Sequence, residues 1–128
     1  MAALAALAVC FVAGAIEAAV PARSFTLAWQ HTVEKVLWEE DYVVAGDWLY
    51  LSGAHVRGSG AGMEPAAGAV LHDGAWHFRP AVRWSRELRL ARSEFGADYR
   101  LCVEGRCVPL AALIGPPAGT VTLAPCRQ

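Results

Sequence analysis

D-Y-V-V-A-G-D-W-L-Y-L-S-G-A-H-V, Asp41 to Val56, is the stretch that decides the fold class. β-Branched and aromatic side chains fill both halves, and Gly46–Asp47 divides them with Gly in the first turn position. That reads as two antiparallel strands around a two-residue turn. The same grammar recurs downstream. A-V-L-H-D-G-A-W-H-F (Ala69 to Phe78) turns at Asp73–Gly74, which sets His72 opposite Ala75, Leu71 opposite Trp76 and Val70 opposite His77. One face then carries Ala69, Leu71, Trp76 and Phe78 as a core face; the other carries His72 and His77 as diagonal neighbours. D-Y-R-L-C-V-E-G-R-C-V-P-L (Asp98 to Leu110) turns at Glu104–Gly105 and sets Cys102 opposite Cys107.

Upstream, residues 24 to 30 alternate, with Phe25, Leu27 and Trp29 on one side, as a half-buried strand does. Residues 79 to 93 are ambiguous, because arginine spacings of four and three also suit a helix face. The pairing of Leu88 with Leu90 by alternation favours a strand over 87–92, after an irregular link beyond Pro80. T-V-T-L-A (Thr120 to Ala124) adds a last short strand. The expectation is an all-β domain over residues 23–128, a small antiparallel sandwich or barrel of about seven to eight short strands.

Residues 1–22 are apolar and Ala-rich, interrupted only by Glu17, and too short for a secure membrane span. They read as an export leader, with V-P-A before Arg23 as a cleavage site. The missing Lys or Arg in the first residues departs from that pattern, and an uncleaved N-terminal anchor is the rival. The rest of the chain carries eleven basic and eleven acidic residues. A neutral domain lacks the uncompensated cations that nucleic acid demands. Glu34, Glu39, Glu40, Asp41 and Asp47 form an acidic stretch, and Arg79, Arg83, Arg86, Arg89 and Arg92 a basic one. The plain expectation is that the two stretches pair or lie on solvated faces. Any membrane contact runs through the leader or a partner.

Cys102 and Cys107 fit a cross-strand disulfide, at a spacing foreign to C-x-x-C redox and zinc motifs. Cys10 would depart with the leader, which leaves Cys126 without a partner. Among groups able to do chemistry, His31 and Glu34 with Glu39 or Glu40 could supply an acid, a base or metal ligands. No metalloprotease spacing is present, and a structural histidine is the simpler reading. G-S-G-A-G (Gly58 to Gly62) lacks the Gly-Lys-Ser/Thr ending of a phosphate loop; it reads as a turn, or as a nest of amides beside Arg57 that receives a carboxylate. Ser59 sits in no nucleophile elbow. No cofactor, metal site or catalytic residue is indicated.

F-T-L-x-W-x-H-T-V-E-K-x-x-W-E-E-D, V-R-G-S-G-A-G-M-E-P, L-R-L-A-R-S and R-L-C-V-x-G-R-C together resemble the bacterial domain-of-unknown-function family eighteen-fifty, across residues 24 to 110. The resemblance implies a small exported protein, encoded beside TAXI-type TRAP transporters that import organic acids. It places the chain in the periplasm or otherwise outside the cytoplasm, and it assigns no reaction. The positions carrying it include His31, Glu34, Trp38, Glu39, Arg57, Gly60, Gly62 and Met63. With Ser59 these form the expected recognition surface, with His31, Glu34, Arg57 and the glycine loop converging at one end of the β structure. The expected function is a non-enzymatic accessory module that contacts the solute-binding protein or the permease. The alternatives are a stand-alone binder of a small carboxylate or metal ion, and a hydrolase using His31 and Glu34.

Overall fold

A computed structural model describes residues 6–30, 36–57 and 67–128. Twelve strands lie among them: β1 (Leu7–Ala13), β2 (Ile16–Pro21), β3 (Ser24–Gln30), β4 (Leu37–Ala45), β5 (Trp48–Arg57), β6 (Val70–His72), β7 (Ala75–Phe78), β8 (Trp84–Ser85), β9 (Leu88–Arg92), β10 (Arg100–Val103), β11 (Arg106–Pro109) and β12 (Gly119–Arg127). A single short helix, α1 (Ala111–Ile114), precedes β12. The strands form two antiparallel sheets. The small one runs β2-β1-β12-β9; the large one runs β11-β10-β3-β4-β5-β7-β6, with β8 also paired to β5. No described helix is long and apolar enough to cross a membrane.

The all-β antiparallel architecture and the three turns are as the sequence reading has them. Ala45 pairs Trp48, His72 pairs Ala75, and Val103 pairs Arg106 across the turns. Asp73, Gly74, Glu104 and Gly105 all have positive φ, the backbone a tight two-residue hairpin requires. The strand count is higher than expected. Part of the excess lies at the N-terminus: where a leader is expected, residues 7–21 form β1 and β2. Val9 and Phe11 of β1 point into the core, while Ala8 on the other face is also fully buried. Apolar residues fill both faces of this inner strand, L-A-V-C-F-V-A, so its sequence is a continuous apolar run like that of a leader.

The cysteine pairing differs from the expectation. Cys10 of β1 and Cys126 of β12 are joined by a disulfide with Cα atoms 5.8 Å apart, so Cys126 does have a partner. Cys102 and Cys107 are bridged as expected, and no described cysteine is free. The core lies between the sheets. Val9, Phe11, Leu90, Val121 and Leu123 meet Phe25, Leu27, Tyr42, Leu49, Leu51 and Leu101, and Leu110 and Ile114 close one end. On the hairpin of β6 and β7, Trp76 and Phe78 are half-buried, but Leu71 is 59% exposed because β6 is an edge strand.

Arg92 continues the inward alternation of Leu88 and Leu90, with its side chain only 2% exposed. Its Nε and Nη2 donate to the two carboxylate oxygens of Asp98 at 3.0 and 2.9 Å, and Nη2 also donates to the Gly115 carbonyl. Asp98 in turn accepts the Ala111 amide at the start of α1 at 2.8 Å. Burial would push the Asp98 carboxyl up, but the Arg92 and backbone hydrogen bonds override it and hold the group below the usual carboxylate range. The acidic and basic stretches do not pair with each other among the described residues. Arg92 takes Asp98, Arg89 takes Glu87, and the acidic side chains find partners nearer the centre of the large sheet.

Candidate recognition face

One defect in β5 shapes the outer face of the large sheet. Asp41 pairs Gly53 while Tyr42 pairs Leu51, so Ser52 is an extra residue, a β-bulge. Before it the odd residues Leu49 and Leu51 face the core; after it the even residues Ala54 and Val56 do. An unbroken alternation would drive His55 into the core. The bulge turns His55 and Arg57 outward instead. Ser52 secures the kink by donating its hydroxyl to the Asp41 carbonyl at 3.1 Å.

The outward side chains of β3, β4, β5 and β7 then form a connected polar row. Thr26 Oγ1 donates to Asp41 Oδ1 at 2.6 Å. His55 Nε2 lies 2.8 Å from Asp41 Oδ2, and since a carboxylate only accepts, that nitrogen carries the proton. His55 Nδ1 faces Glu39 Oε1 at 3.4 Å, is buried, and makes no hydrogen bond among the described residues. Arg57 Nε donates to the same Glu39 oxygen at 2.9 Å, and Nη1 donates to the Asp73 carbonyl. His77 lies beside His55 with ring centroids 5.1 Å apart, and His72 is 5.7 Å from His77.

Two open grooves flank Asp41 and Ser52. One, about 390 Å³, is lined by Thr26, Glu39, Asp41, Glu104 and the Cys102–Cys107 bridge. The other, about 590 Å³, is lined by Asp41, Gly53, His55, His77 and Arg79. Among the described residues the arrangement holds cations and carboxylates in fixed places but assembles no nucleophile with a base. Among the described residues Thr26 gives its proton to a carboxylate, and no hydroxyl or thiol reaches His55. No described group of three His, Cys, Asp or Glu side chains is arranged for a metal ion.

Of the expected surface residues, Glu39 and Arg57 meet directly on this face. Trp38 does not join them. It pairs Val56 on the core side, stacks on Trp29 at 6.2 Å and meets Phe78 edge-on at 6.4 Å. Glu40 is likewise on the core side, where burial pushes its carboxyl up against the lowering effect of the Tyr42 hydroxyl 3.0 Å away. His31, Glu34, Ser59, Gly60, Gly62 and Met63, and with them the expected convergence, lie outside the described residues. The strands that flank those segments do end in register, since Gln30 pairs Leu37 and Leu37 pairs Arg57.

A family model for a domain of unknown function, DUF1850, matches residues 25–110. The chain belongs to this family. The DUF1850 match runs from β3 to β11 and so contains every strand of the large sheet, with its polar row, plus β9; β1, β2 and β12 fall outside it. No curated protein and no solved structure matches the chain. Sequence reasoning placed Asp41 in an acidic stretch and did not join His55 to it. Ser-Gly inside a strand is the signal for a bulge that could have done so.

Proposed function

We propose that this DUF1850 chain is an extracytoplasmic, non-enzymatic recognition module serving a TAXI-type TRAP uptake system. It contacts the solute-binding protein or the permease with the Arg57 end of the large sheet. The observation that carries the reading is the row itself. Arg57, half-exposed at 47%, is held by Glu39, which with His55 is mostly buried, so a charged anchor stands on a rigid strand and needs little ordering on contact. Open grooves and the lack of a nucleophile–base pair among described residues favour recognition over turnover. Two disulfides suit an oxidising compartment. The uptake link itself is carried over from the family resemblance.

Calorimetry of the oxidised chain against the cognate solute-binding protein, and against the permease in detergent, tests this. Arg57→Ala should weaken association by ~1–3 kcal/mol, as truncated anchors do. Its melting temperature should stay close to wild type, since an exposed ion pair contributes under about 1 kcal/mol. Absence of binding to both proteins, or equal binding by Arg57→Ala, overturns the reading. A stand-alone binder of small carboxylates is favoured only by the groove beside His55, His77 and Arg79. A thermal-shift screen of organic acids separates it.

A further inference from the structure

The other half of the outer face, toward the turn at Gly46–Asp47, is aromatic. Trp84 of β8 lies against Tyr50 with centroids 4.7 Å apart and meets Trp48 edge-on at 6.4 Å. The Arg86 guanidinium sits 4.5 Å over the Trp48 ring. Trp48 and Trp84 are 38% and 55% exposed, too much apolar surface for a purely structural cluster. Among the described residues Arg86 has no carboxylate partner. Tyr50 pairs Val43, and Val43 borders the acidic groove that holds Asp41 and Glu104. Glu104, at the exposed β10–β11 turn, also lacks a partner among the described residues. A cationic aromatic patch and an acidic groove therefore lie side by side on one sheet face.

We infer that this half of the face is the contact surface of a homodimer, in which each copy sets Trp48, Tyr50, Trp84 and Arg86 against Asp41 and Glu104 of the other. A two-fold axis in the plane of the contact, between patch and groove, brings unlike surfaces together twice, the self-complementarity an isologous interface needs. The charges select this occupant. An anionic bilayer that attracted Arg86 would press Asp41 and Glu104 against lipid phosphates, whereas a second copy satisfies both signs. The residue types agree, since Trp, Tyr and Arg are the common anchors of protein interfaces. Area is adequate. From β10 to β8 the face spans five strands, and the half beyond the bulge is roughly 20 Å by 20 Å, or about 400 Å² in projection per copy. Accessible area exceeds projection on a side-chain surface, so the pair approaches the ~1,200 Å² at which specific interfaces begin. The dimer is therefore weak and dilutable, it goes beyond the uptake reading, and it leaves Arg57 free.

Sedimentation velocity of the full oxidised chain over a wide dilution series tests it. The expected result is a monomer–dimer equilibrium that weakens as salt rises. Trp84→Ala and Arg86→Glu should each raise the dissociation constant about tenfold or more, while Arg57→Ala leaves it unchanged. Adding Glu104→Arg to Arg86→Glu reverses both signs at once and should restore the dimer. Glu104→Arg alone, at a solvent-exposed turn, gives the same loss should Trp84→Ala unfold. A wild-type chain that stays monomeric at the highest concentration, or a dimer indifferent to Trp84→Ala and Arg86→Glu, overturns the inference.

Discussion

Phe11→Ala probes whether the first strand belongs to the folded core. Phe11 is fully buried between the sheets with Val9, Val121 and Leu123. Removing a buried phenyl ring forfeits its transfer free energy and leaves a cavity, ~3–5 kcal/mol in well-packed cores. The unfolding entropy of a chain of 128 residues is about 0.27 kcal/mol per degree near the midpoint, so the melting temperature should fall by ~10–20 °C. Val12, the next residue, points out of the core and is 41% exposed, so Val12→Ala should cost only ~0.5 kcal/mol. Urea titrations of both variants, oxidised and full length, with far-ultraviolet circular dichroism as the signal, make the comparison. If Phe11→Ala matches Val12→Ala within error, β1 is not packed as described.

The two disulfides should differ in effect. Replacing Cys10 and Cys126 by serine releases a closure across 116 positions, ~4–5 kcal/mol of loop entropy, against ~2 for Cys102 and Cys107 across 5; guanidinium midpoints rank them, and an inverted order refutes it. Asp98 has a folded pKa below its unfolded one, so its contribution is present above the ordinary carboxylate range and is lost as pH falls through the lowered value. Asp98→Asn should accordingly flatten the acid limb of the stability curve, followed by urea midpoints against pH. Glu40 has the opposite sign: its raised folded value gives stability below the unfolded pKa that is lost as pH rises through the folded one. Glu40→Gln should therefore gain stability at neutral pH and little in acid; an equal change at both would refute the assignment. Deleting Ser52 removes the bulge yet keeps Leu51, Ala54 and Val56 inward and His55 and Arg57 outward by plain alternation, so the domain should stay folded with dispersed amide resonances; loss of that dispersion would refute the register.

The hairpins were legible because a two-residue turn fixes register, and register fixes which side chain meets which. Asp73–Gly74 and Glu104–Gly105 therefore fixed the partners across their own hairpins, though not the pairing of β7 with β5 or of β10 with β3. The first two strands were not, because Ala8 is covered as completely as Val9 and no polar alternation remains to mark a sheet face. Arg92 misled in the same way: a basic side chain at an inward position looks like surface until Asp98 and Gly115 are seen to receive it. The candidate site failed for a different reason. Thr26, Asp41 and His55 stand 15 and 14 positions apart, and only strand pairing plus one extra residue at Ser52 brings them into line. Glu39 and Arg57 meet on the outer face, while Trp38, one position away from Glu39, lies on the opposite face.

Cys10 and Cys126 join the first and last strands close to Ala6 and Gln128, which exchange backbone hydrogen bonds of 2.7 and 3.1 Å. Mechanical load applied at these two points would peel apart only a few residue pairs before meeting a covalent link. The 116-position interior between the two sulfurs would carry no tension, and both sheets would ride on the staple as an unstrained load. A tether at either end, to a membrane, a bead or a fused protein, could be pulled hard without distorting the polar row. With the staple reduced, the same pull would unzip β1 from β12 one pair at a time and open the core at Phe11 and Leu123.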